Sequence, residues 1–186
     1  MRKINKYVQK IKHHFFCNKK ETWKDIEYFN ESWKERIKKM SDFINPSETV
    51  MDLGCGKLWL RDFLSASNKY YPVDYISRSS DTIVVDFNKN QFPDLKVDVV
   101  FASGVLEYIN NPEWFVKKIS DSCNKCILSY CTTEYNQDTK MRRSYTWVND
   151  FTFNDIVGLF KKNNMKLMNS VFLETNNNTI FVFTKN

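Results

Sequence analysis

The sequence predicts an α/β fold organised around a mostly parallel sheet, and three observations support this prediction. Short apolar runs recur along the chain, as expected of strands that are buried on both faces. Segments in which apolar residues recur at helical spacing lie between several of these runs. A pair of glycines, Gly54 and Gly56, directly follows the first run, at the point where the carboxyl ends of parallel strands form ligand sites.

The order of these segments predicts seven strands. They cover residues 50–53, 69–73, 82–85, 97–101, 126–130, 165–173 and 179–183. The predicted helices cover residues 22–43, 57–64, 112–119 and 147–163, and the last is expected to be capped by Thr152 or Asn154. Residues 131–146 are expected to form a polar loop. The gap between the second and third strands is too short for an ordinary crossover helix, so we expect a trimmed crossover there.

The formal net charge of +6 is concentrated at the N-terminus. Residues 1–20 carry seven lysines and arginines and no acid, whereas residues 41–186 are close to neutral. A nucleic-acid-binding protein would carry a basic face across its fold, so we expect no nucleic-acid partner. We divide the chain into a basic arm and helical cap, residues 1–45, and one compact domain, residues 46–186.

The basic arm leaves two alternatives open. Apolar residues from Ile4 to Phe15 recur at helical spacing between its lysines. Such a helix either lies on the surface of the domain or contacts an anionic membrane or an anionic substrate.

Other features narrow the class of protein. No apolar run is long enough for a transmembrane helix, and no apolar region of a secretory signal follows the basic start. Five cysteines without a framework spacing suit a reducing cytoplasm. Cys123 and Cys126 form a lone C-x-x-C that we interpret as structural, and His13, His14 and Cys17 lack further ligands, so we expect no metal site.

Residues 49–56, which read TVMDLGCG, are the most informative stretch. Glycines here let the backbone turn tightly and let a ligand approach closely. A dinucleotide fingerprint would require a glycine where Trp59 stands, and a P-loop would require a longer turn. Asp74 follows Gly54 by 20 residues, at the end of the second strand. A carboxylate at this spacing accepts both hydroxyls of a ribose, which predicts a site for a nucleoside-containing ligand.

The pattern V-x-D-L-G-C-G of residues 50–56 resembles motif I of the class I S-adenosylmethionine-dependent methyltransferases. Leu58 departs from the family, which usually has another small residue there. The resemblance covers residues 48–184. It implies a Rossmann-like sheet of seven strands with the last strand antiparallel, an N-terminal helical cap, and S-adenosylmethionine as the cofactor.

Several site residues follow from the resemblance. The cofactor-binding residues are expected to be Asp52, Gly54, Cys55, Gly56, Asp74, Tyr75, Asp86, Phe87, Ser103 and Gly104. In the family, the residue at Asp86 bonds the adenine amino group and its neighbour packs on the ring. Trp33 and Arg36 of the N-terminal helix are further candidates to reach the cofactor.

The candidate catalytic residues lie in three parts of the chain. Glu107 matches the Glu of a family pattern close to V-L-E-H, and Tyr108 stands in place of the His. The candidate catalytic residues are Glu107, His13, His14 and Tyr130. The candidate substrate-binding residues are Tyr135, Arg142 and Arg143, since arginines recognise phosphates and carboxylates.

The sequence therefore predicts a methyltransferase that acts on oxygen or nitrogen of a small or carrier-linked metabolite. The overall pattern is similar to small methyltransferases of bacterial surface-polysaccharide pathways, which implies a phosphate- or sugar-containing acceptor. We expect a cytoplasmic protein, with membrane association through residues 1–20 as an open alternative. A second alternative is a methyltransferase-like protein that binds S-adenosylmethionine without catalysis or serves as a membrane-associated adaptor.

Overall fold

The computed structural model describes residues 29–185. The predictions made for the basic arm, including those for His13 and His14, lie outside the described residues. The division of the chain at residue 45 also stays a prediction.

The described residues form one seven-stranded sheet. Its strands are β1 (Thr49–Leu53), β2 (Lys69–Asp74), β3 (Ile83–Val84), β4 (Val97–Ser103), β5 (Cys123–Tyr130), β6 (Met165–Leu173) and β7 (Asn178–Lys185). Their order across the sheet is β3-β2-β1-β4-β5-β7-β6. The first five strands pair in parallel, and β7 runs antiparallel to both β5 and β6. The predicted seven-stranded sheet with an antiparallel last strand is thus confirmed.

Four α-helices accompany the sheet in the described part of the chain. They are α1 (Ser32–Ser41), α2 (Pro112–Ser122), α3 (Thr139–Ser144) and α4 (Phe153–Lys161). Helix α2 begins with Pro112, and the Asn111 side chain accepts a hydrogen bond from the Trp114 N–H. Helix α4 begins at a capping box in which Thr152 and Asp155 bond each other's backbone N–H groups. Of the two predicted caps, Thr152 is therefore correct.

Three predicted helices differ from the structure. Residues 57–64 form only a short 3₁₀ helix, Trp59–Phe63, because Leu58 has a left-handed backbone (φ +59°) that an α-helix cannot include. The helix predicted from residue 22 is described as helical from Ser32 onward. The helix predicted from residue 147 begins at Phe153, since residues 147–150 instead bond to the segment that follows β4. The predicted polar loop 131–146 contains helix α3.

The crossover between β2 and β3 contains no helix, as predicted. Residues 75–82 form an irregular turn instead. The Thr82 hydroxyl oxygen accepts hydrogen bonds from the backbone N–H groups of Arg78 and Ser79 (3.1 and 2.9 Å). Asp81 pairs with Arg61 of the 3₁₀ helix at 2.8 Å, so the turn is tied to the segment that follows the glycine turn.

Two apolar clusters lie on opposite faces of the sheet. Met40 of α1 packs with residues such as Val50 and Ile127 on one face, and Phe115 and Phe160 of α2 and α4 pack on the other. The carboxyl ends of the parallel strands β1, β2, β4 and β5 meet at one edge of the sheet, where α/β folds bind ligands. No helix in the described residues is long and apolar enough to cross a membrane.

A buried arginine holds the segment that follows β5. The Arg142 side chain is fully buried and donates to Asp150 Oδ1 (2.7 Å), the Cys131 carbonyl (2.8 Å) and the Asn149 carbonyl (2.7 Å). It also donates to the Tyr130 hydroxyl (2.8 Å), which in turn donates to the Asn149 carbonyl. The prediction that Arg142 binds substrate is therefore wrong, because its donors bond the protein itself and solvent does not reach it.

The same network corrects a second prediction. Tyr130 was expected to be catalytic, but its side chain is buried and its hydroxyl also accepts a hydrogen bond from the Phe151 N–H (3.1 Å). Burial raises the pKa of Tyr130 above its ordinary value, and the charge of Glu107 raises it further. Tyr130 and Arg142 are thus structural residues that fix residues 131–152 at the carboxyl edge of the sheet.

We expect Arg142→Met to lower the free energy of unfolding by about 3–5 kcal/mol, because it removes one partner of a buried, hydrogen-bonded charge network. Urea unfolding of the variant and the wild type measures this change. Arg143→Met is the matched control, since Arg143 bonds the same Asp150 from an exposed position. The control should lose much less stability, and equal losses in the two variants would contradict the role given to Arg142.

Candidate active site

The first glycine of the turn is required by a close contact. Gly54 has φ +71°, and a Cβ added to it would lie 2.7 Å from Cγ2 of Val105. The N–H groups of Gly54 and Cys55 both donate to the Val73 carbonyl (2.8 and 3.0 Å). The end of β1 is therefore tied to β2 and pressed against the segment that follows β4.

Gly56 lies against an aromatic side chain. A Cβ added to Gly56 would lie 2.4 Å from the ring of Phe29. That ring also packs against Trp33 (centroids 5.2 Å apart) and Trp59 (6.2 Å). The three rings form an aromatic wall beside the glycine turn, and Trp33, a candidate from the sequence, belongs to it.

Asp74 is held firmly at the end of β2. Its Oδ2 accepts a hydrogen bond from the Gly56 N–H (2.9 Å), and its Oδ1 accepts one from the Ile76 N–H (3.2 Å). The guanidinium of Arg78 lies 3.5 Å from Oδ2. A carboxylate offers about four lone-pair positions, so acceptor capacity remains for two hydroxyl groups.

Asp52 is a second buried carboxyl group beside the turn. It is 3% exposed, and its Oδ2 accepts a hydrogen bond from the Tyr70 hydroxyl (2.7 Å). Burial raises the pKa of Asp52 to about 7, although the hydrogen bond from Tyr70 opposes the rise and the charge of Asp74 adds to it. Burial also raises the pKa of the neighbouring Cys55 thiol.

Arg36 brings a buried positive charge to the end of β4. The residue is 6% exposed, and its Nε donates to the Ser103 hydroxyl at 3.0 Å. A Cβ at Gly104, which has φ +67°, would lie 3.0 Å from a terminal guanidinium nitrogen. Within residues 29–185, neither terminal nitrogen has a hydrogen-bond acceptor. Burial lowers the pKa of Arg36, and the charge of Glu107 opposes this effect.

Glu107 lies beneath this arginine. It is 2% exposed, its Oε1 accepts a hydrogen bond from the Cys131 N–H (3.1 Å), and its Oε2 has no hydrogen-bond partner among the described residues. Burial raises the pKa of Glu107, while backbone hydrogen bonds and the charge of Arg36 lower it. The catalytic role predicted for Glu107 stays a prediction, and any such role must be played from a buried position.

Tyr108 follows on the same 3₁₀ helix, Leu106–Tyr108. Its hydroxyl oxygen accepts a hydrogen bond from Nε1 of Trp147 (3.1 Å). Burial raises the pKa of Tyr108 to about 12, and the charge of Glu107 contributes to the rise. Tyr108 is therefore protonated near neutral pH and can orient a ligand by hydrogen bonding, but it is a poor base.

The predicted adenine region surrounds the end of β3. Asp86 Oδ1 accepts a hydrogen bond from the Asn88 N–H (3.0 Å), and the partly exposed Tyr75 follows Asp74. Phe87 is 9% exposed, and its ring packs against Phe115 (centroids 5.0 Å apart) in the core. The expectation that the Phe87 ring offers a face for adenine is therefore wrong. Its N–H opens a 3₁₀ turn and has no partner within that turn.

The remaining predicted substrate residues lie on the surface. Arg143 donates to the Trp147 carbonyl (2.9 Å) and pairs with Asp150. Tyr135 is 48% exposed, and its ring stacks on Phe172 with the centroids 3.7 Å apart. Both residues belong to the segment after β5, so a role in acceptor binding stays a prediction for them.

Sequence reasoning missed three residues that the structure brings to the site: Phe29, Tyr70 and Arg78. Only Arg78 had a usable signal, because an arginine within a crossover too short for a helix must lie near the strand end that precedes it. Phe29 and Tyr70 look like ordinary core aromatics in the sequence. No group of three or more His, Cys, Asp and Glu side chains in residues 29–185 is arranged to hold a metal ion.

The residues present fit the cofactor that the resemblance implies. Asp74 provides acceptors for ribose hydroxyls, and Arg36 provides a buried cation for a carboxylate. Asp86 provides an acceptor for an adenine amino group. Ribose hydroxyls, a carboxylate and an adenine amino group occur together in an adenosyl amino acid. Asp74, Asp86 and Arg36 lie along one edge of the sheet, where Arg36 bonds Ser103 at the end of β4.

We expect the substitution Asp52→Asn to change how stability depends on pH. The pKa of Asp52 is about 7 in the folded protein and about 3.9 in an unfolded chain. Between these values the folded protein binds more protons, so its free energy of unfolding falls as the pH rises from about 4 to about 7. The asparagine variant lacks this loss. The melting temperature of Asp52→Asn minus that of the wild type should therefore be larger at pH 8 than at pH 5. An equal difference at both pH values would contradict the raised pKa of Asp52.

Three solved structures share this fold. Magnesium protoporphyrin IX methyltransferase from Synechocystis PCC 6803, with bound SAH, is 14% identical with a TM-score of 0.64, over 84% of this chain and 83% of that chain. The 1,6-didemethyltoxoflavin-N1-methyltransferase of Burkholderia thailandensis was solved with 1,6-didemethyltoxoflavin and S-adenosylhomocysteine. It is 11% identical with a TM-score of 0.66, over 84% of this chain and 79% of that chain. The cyclase SpnF is 9% identical with a TM-score of 0.67, over 82% of this chain and 80% of that chain. At these identities the likeness shows the fold alone.

The family comparison reaches further than the fold. No curated protein matches the sequence. The family model described as a methyltransferase domain matches residues 24–169, which is most of the chain and includes the glycine turn, Arg36, Asp74 and Glu107. This match confirms the resemblance found in motif I, and the chain belongs to the methyltransferase domain family.

Proposed function

We propose that this protein transfers a methyl group from S-adenosylmethionine to an oxygen or nitrogen atom of a small-molecule acceptor. The observation that carries the proposal is the buried guanidinium of Arg36 above Ser103 and Gly104, on the same sheet edge as the glycine turn and Asp74. A buried cation whose terminal nitrogens have no acceptor within residues 29–185 favours an anionic ligand group at this place.

Each part of the cofactor has a partner in this proposal. Asp74 accepts the ribose hydroxyls, Asp86 and the Phe87 N–H bind the adenine edge, and Arg36 holds the amino-acid carboxylate. The backbone of residues 54–56 faces the amino-acid chain. The Synechocystis and Burkholderia neighbours were both solved with S-adenosylhomocysteine (SAH), which supports this choice of cofactor.

The protein contributes mainly position and orientation. S-adenosylmethionine supplies an electrophilic methyl group on a sulfonium, and displacement requires a nucleophile about 3 Å away and in line with the breaking bond. In this proposal Tyr108 lies on the acceptor side of the site, and its hydroxyl oxygen is held by a hydrogen bond from Nε1 of Trp147. In this proposal the charge of Glu107 keeps Arg36 in place, and Glu107 does not act as the base that removes a proton from the acceptor.

The class of acceptor is proposed from the segment that follows β5. Arg143, Tyr135 and the exposed Tyr145 present cationic and aromatic groups at the carboxyl edge of the sheet. These groups suit a phosphate- or sugar-containing metabolite, including a precursor of a surface polysaccharide, free or linked to a carrier. The five cysteines without a framework spacing favour a cytoplasmic protein, and the seven basic residues in 1–20 favour a peripheral membrane contact.

We expect Arg36→Gln to weaken the binding of S-adenosylhomocysteine by at least about tenfold, which corresponds to about 1.4 kcal/mol. The same variant should bind 5′-methylthioadenosine as the wild type does, because this ligand keeps the adenosine and lacks the carboxylate. Isothermal titration calorimetry with both ligands measures the two affinities.

Lys39→Gln is the matched control, since it removes an exposed positive charge from the same helix. It should leave both affinities unchanged. Equal losses for the two ligands in Arg36→Gln would exclude a carboxylate contact. If the wild type binds neither ligand, the proposed cofactor is wrong.

A second candidate function is a binding protein or an enzyme of another class on the same fold. The similarity to the cyclase SpnF favours this candidate, because it shows that the fold occurs in a protein named for a different reaction. An assay for conversion of S-adenosylmethionine to S-adenosylhomocysteine distinguishes the two candidate functions. The acceptors offered are phosphorylated sugars, phenols and amines. Tight cofactor binding without turnover on any of these acceptors would favour the second candidate.

A further inference from the structure

We propose that Arg78 is a positioning residue that holds the Asp74 carboxylate in the orientation in which it accepts the ribose hydroxyls of the cofactor. This inference rests on the proposed function, because it assigns a role within the same cofactor site. Nothing in the spacing of motif I points to Arg78. Its place follows from the turn that replaces the crossover helix between β2 and β3.

The ion pair between Arg78 and Asp74 is buried. Nε of Arg78 lies 3.5 Å from Oδ2 of Asp74, and the two side chains are 7% and 8% exposed. The N–H groups of Gly56 and Ile76 bind one carboxylate oxygen each. Arg78 therefore approaches a carboxylate whose position is already limited by two backbone contacts.

The turn explains why an arginine reaches this place. Residues 75–82 fold around the Thr82 hydroxyl, which accepts hydrogen bonds from the N–H groups of Arg78 and Ser79. The Ser79 hydroxyl donates to Asp81 (2.6 Å), and Asp81 pairs with Arg61. The backbone of Arg78 is thus fixed from outside the site, and its side chain lies inside the site against Asp74.

The negative charge of the Asp74 carboxylate is buried. A carboxylate with so little exposure is costly unless a cation or several hydrogen bonds compensate it. The two backbone N–H groups use two of its lone-pair positions, and the charge of Arg78 compensates it without a close hydrogen bond. Two lone-pair positions remain, which is the number that the two hydroxyls of a ribose require.

A double-mutant cycle tests the inference. Calorimetry with S-adenosylhomocysteine is performed on the wild type, Arg78→Gln, Asp74→Asn and the double variant. We expect each single variant to lose at least about tenfold in affinity. The double variant should lose no more than Asp74→Asn alone, because Arg78 acts through Asp74. Unlike Arg36→Gln, the Arg78→Gln variant should lose equally for 5′-methylthioadenosine, which retains the ribose.

Two further variants separate positioning from a general effect on folding. Lys69→Gln removes an exposed cation from the start of β2, the strand whose other end carries Asp74, and it should leave the affinity unchanged. Arg78→Lys keeps the charge without the planar fork, so its loss should be about threefold and should vanish in the Asp74→Asn background. If thermal melting shows that Arg78→Gln does not fold, the affinity of Arg78→Lys for S-adenosylhomocysteine tests the inference instead.

The outcomes are distinguishable. Unchanged or tighter binding by Arg78→Gln, additive losses in the double variant, or an equal loss in Lys69→Gln would overturn the inference while wild-type binding still supports the proposed function. A wild type that binds neither ligand overturns both.

Discussion

The hydrogen bond between the Gly56 N–H and the Asp74 carboxylate, 2.9 Å long, joins the ends of β1 and β2. Gly56, the donor, has a left-handed backbone (φ +49°), a conformation that favours glycine. The bond fixes the carboxylate beside the glycine turn, and Arg78 and the Ile76 N–H then approach the same group. The proposed ribose site depends on this one contact, since without it the turn and the carboxylate would be set independently.

The proposed acceptor side is built differently from the proposed cofactor side. Backbone contacts of glycines and strand ends form the cofactor side, whereas a fully buried arginine organises residues 131–152. Because Arg142 uses its donors on Tyr130, Cys131, Asn149 and Asp150, it shapes the segment without touching a ligand. Tyr135 and Arg143 remain at the surface of that segment.

The sequence predicted the parts of the fold that local chemistry controls. The alternating strands, the terminal hairpin, the trimmed crossover and the capped helix α4 follow from apolar runs, turn residues and one capping box. Motif I also predicted the candidate site, and its glycines have positive φ and close contacts in the structure. Burial was not predictable in the same way. Arg142 and Arg143 are adjacent and alike in sequence, yet one is fully buried and the other exposed, since only tertiary contacts distinguish them.

The four glycines of the chain allow the most direct test of the central claim that the cofactor binds at the glycine turn. Gly54, Gly56 and Gly104 lie at the candidate site, and Gly158 lies within α4. A protein labelled with ¹⁵N only at glycine gives four backbone amide signals, which are followed by NMR during titration with S-adenosylhomocysteine. The account predicts that the signals of Gly54, Gly56 and Gly104 shift and that of Gly158 does not. A titration that leaves all four unchanged, or that shifts Gly158 alone, would contradict it.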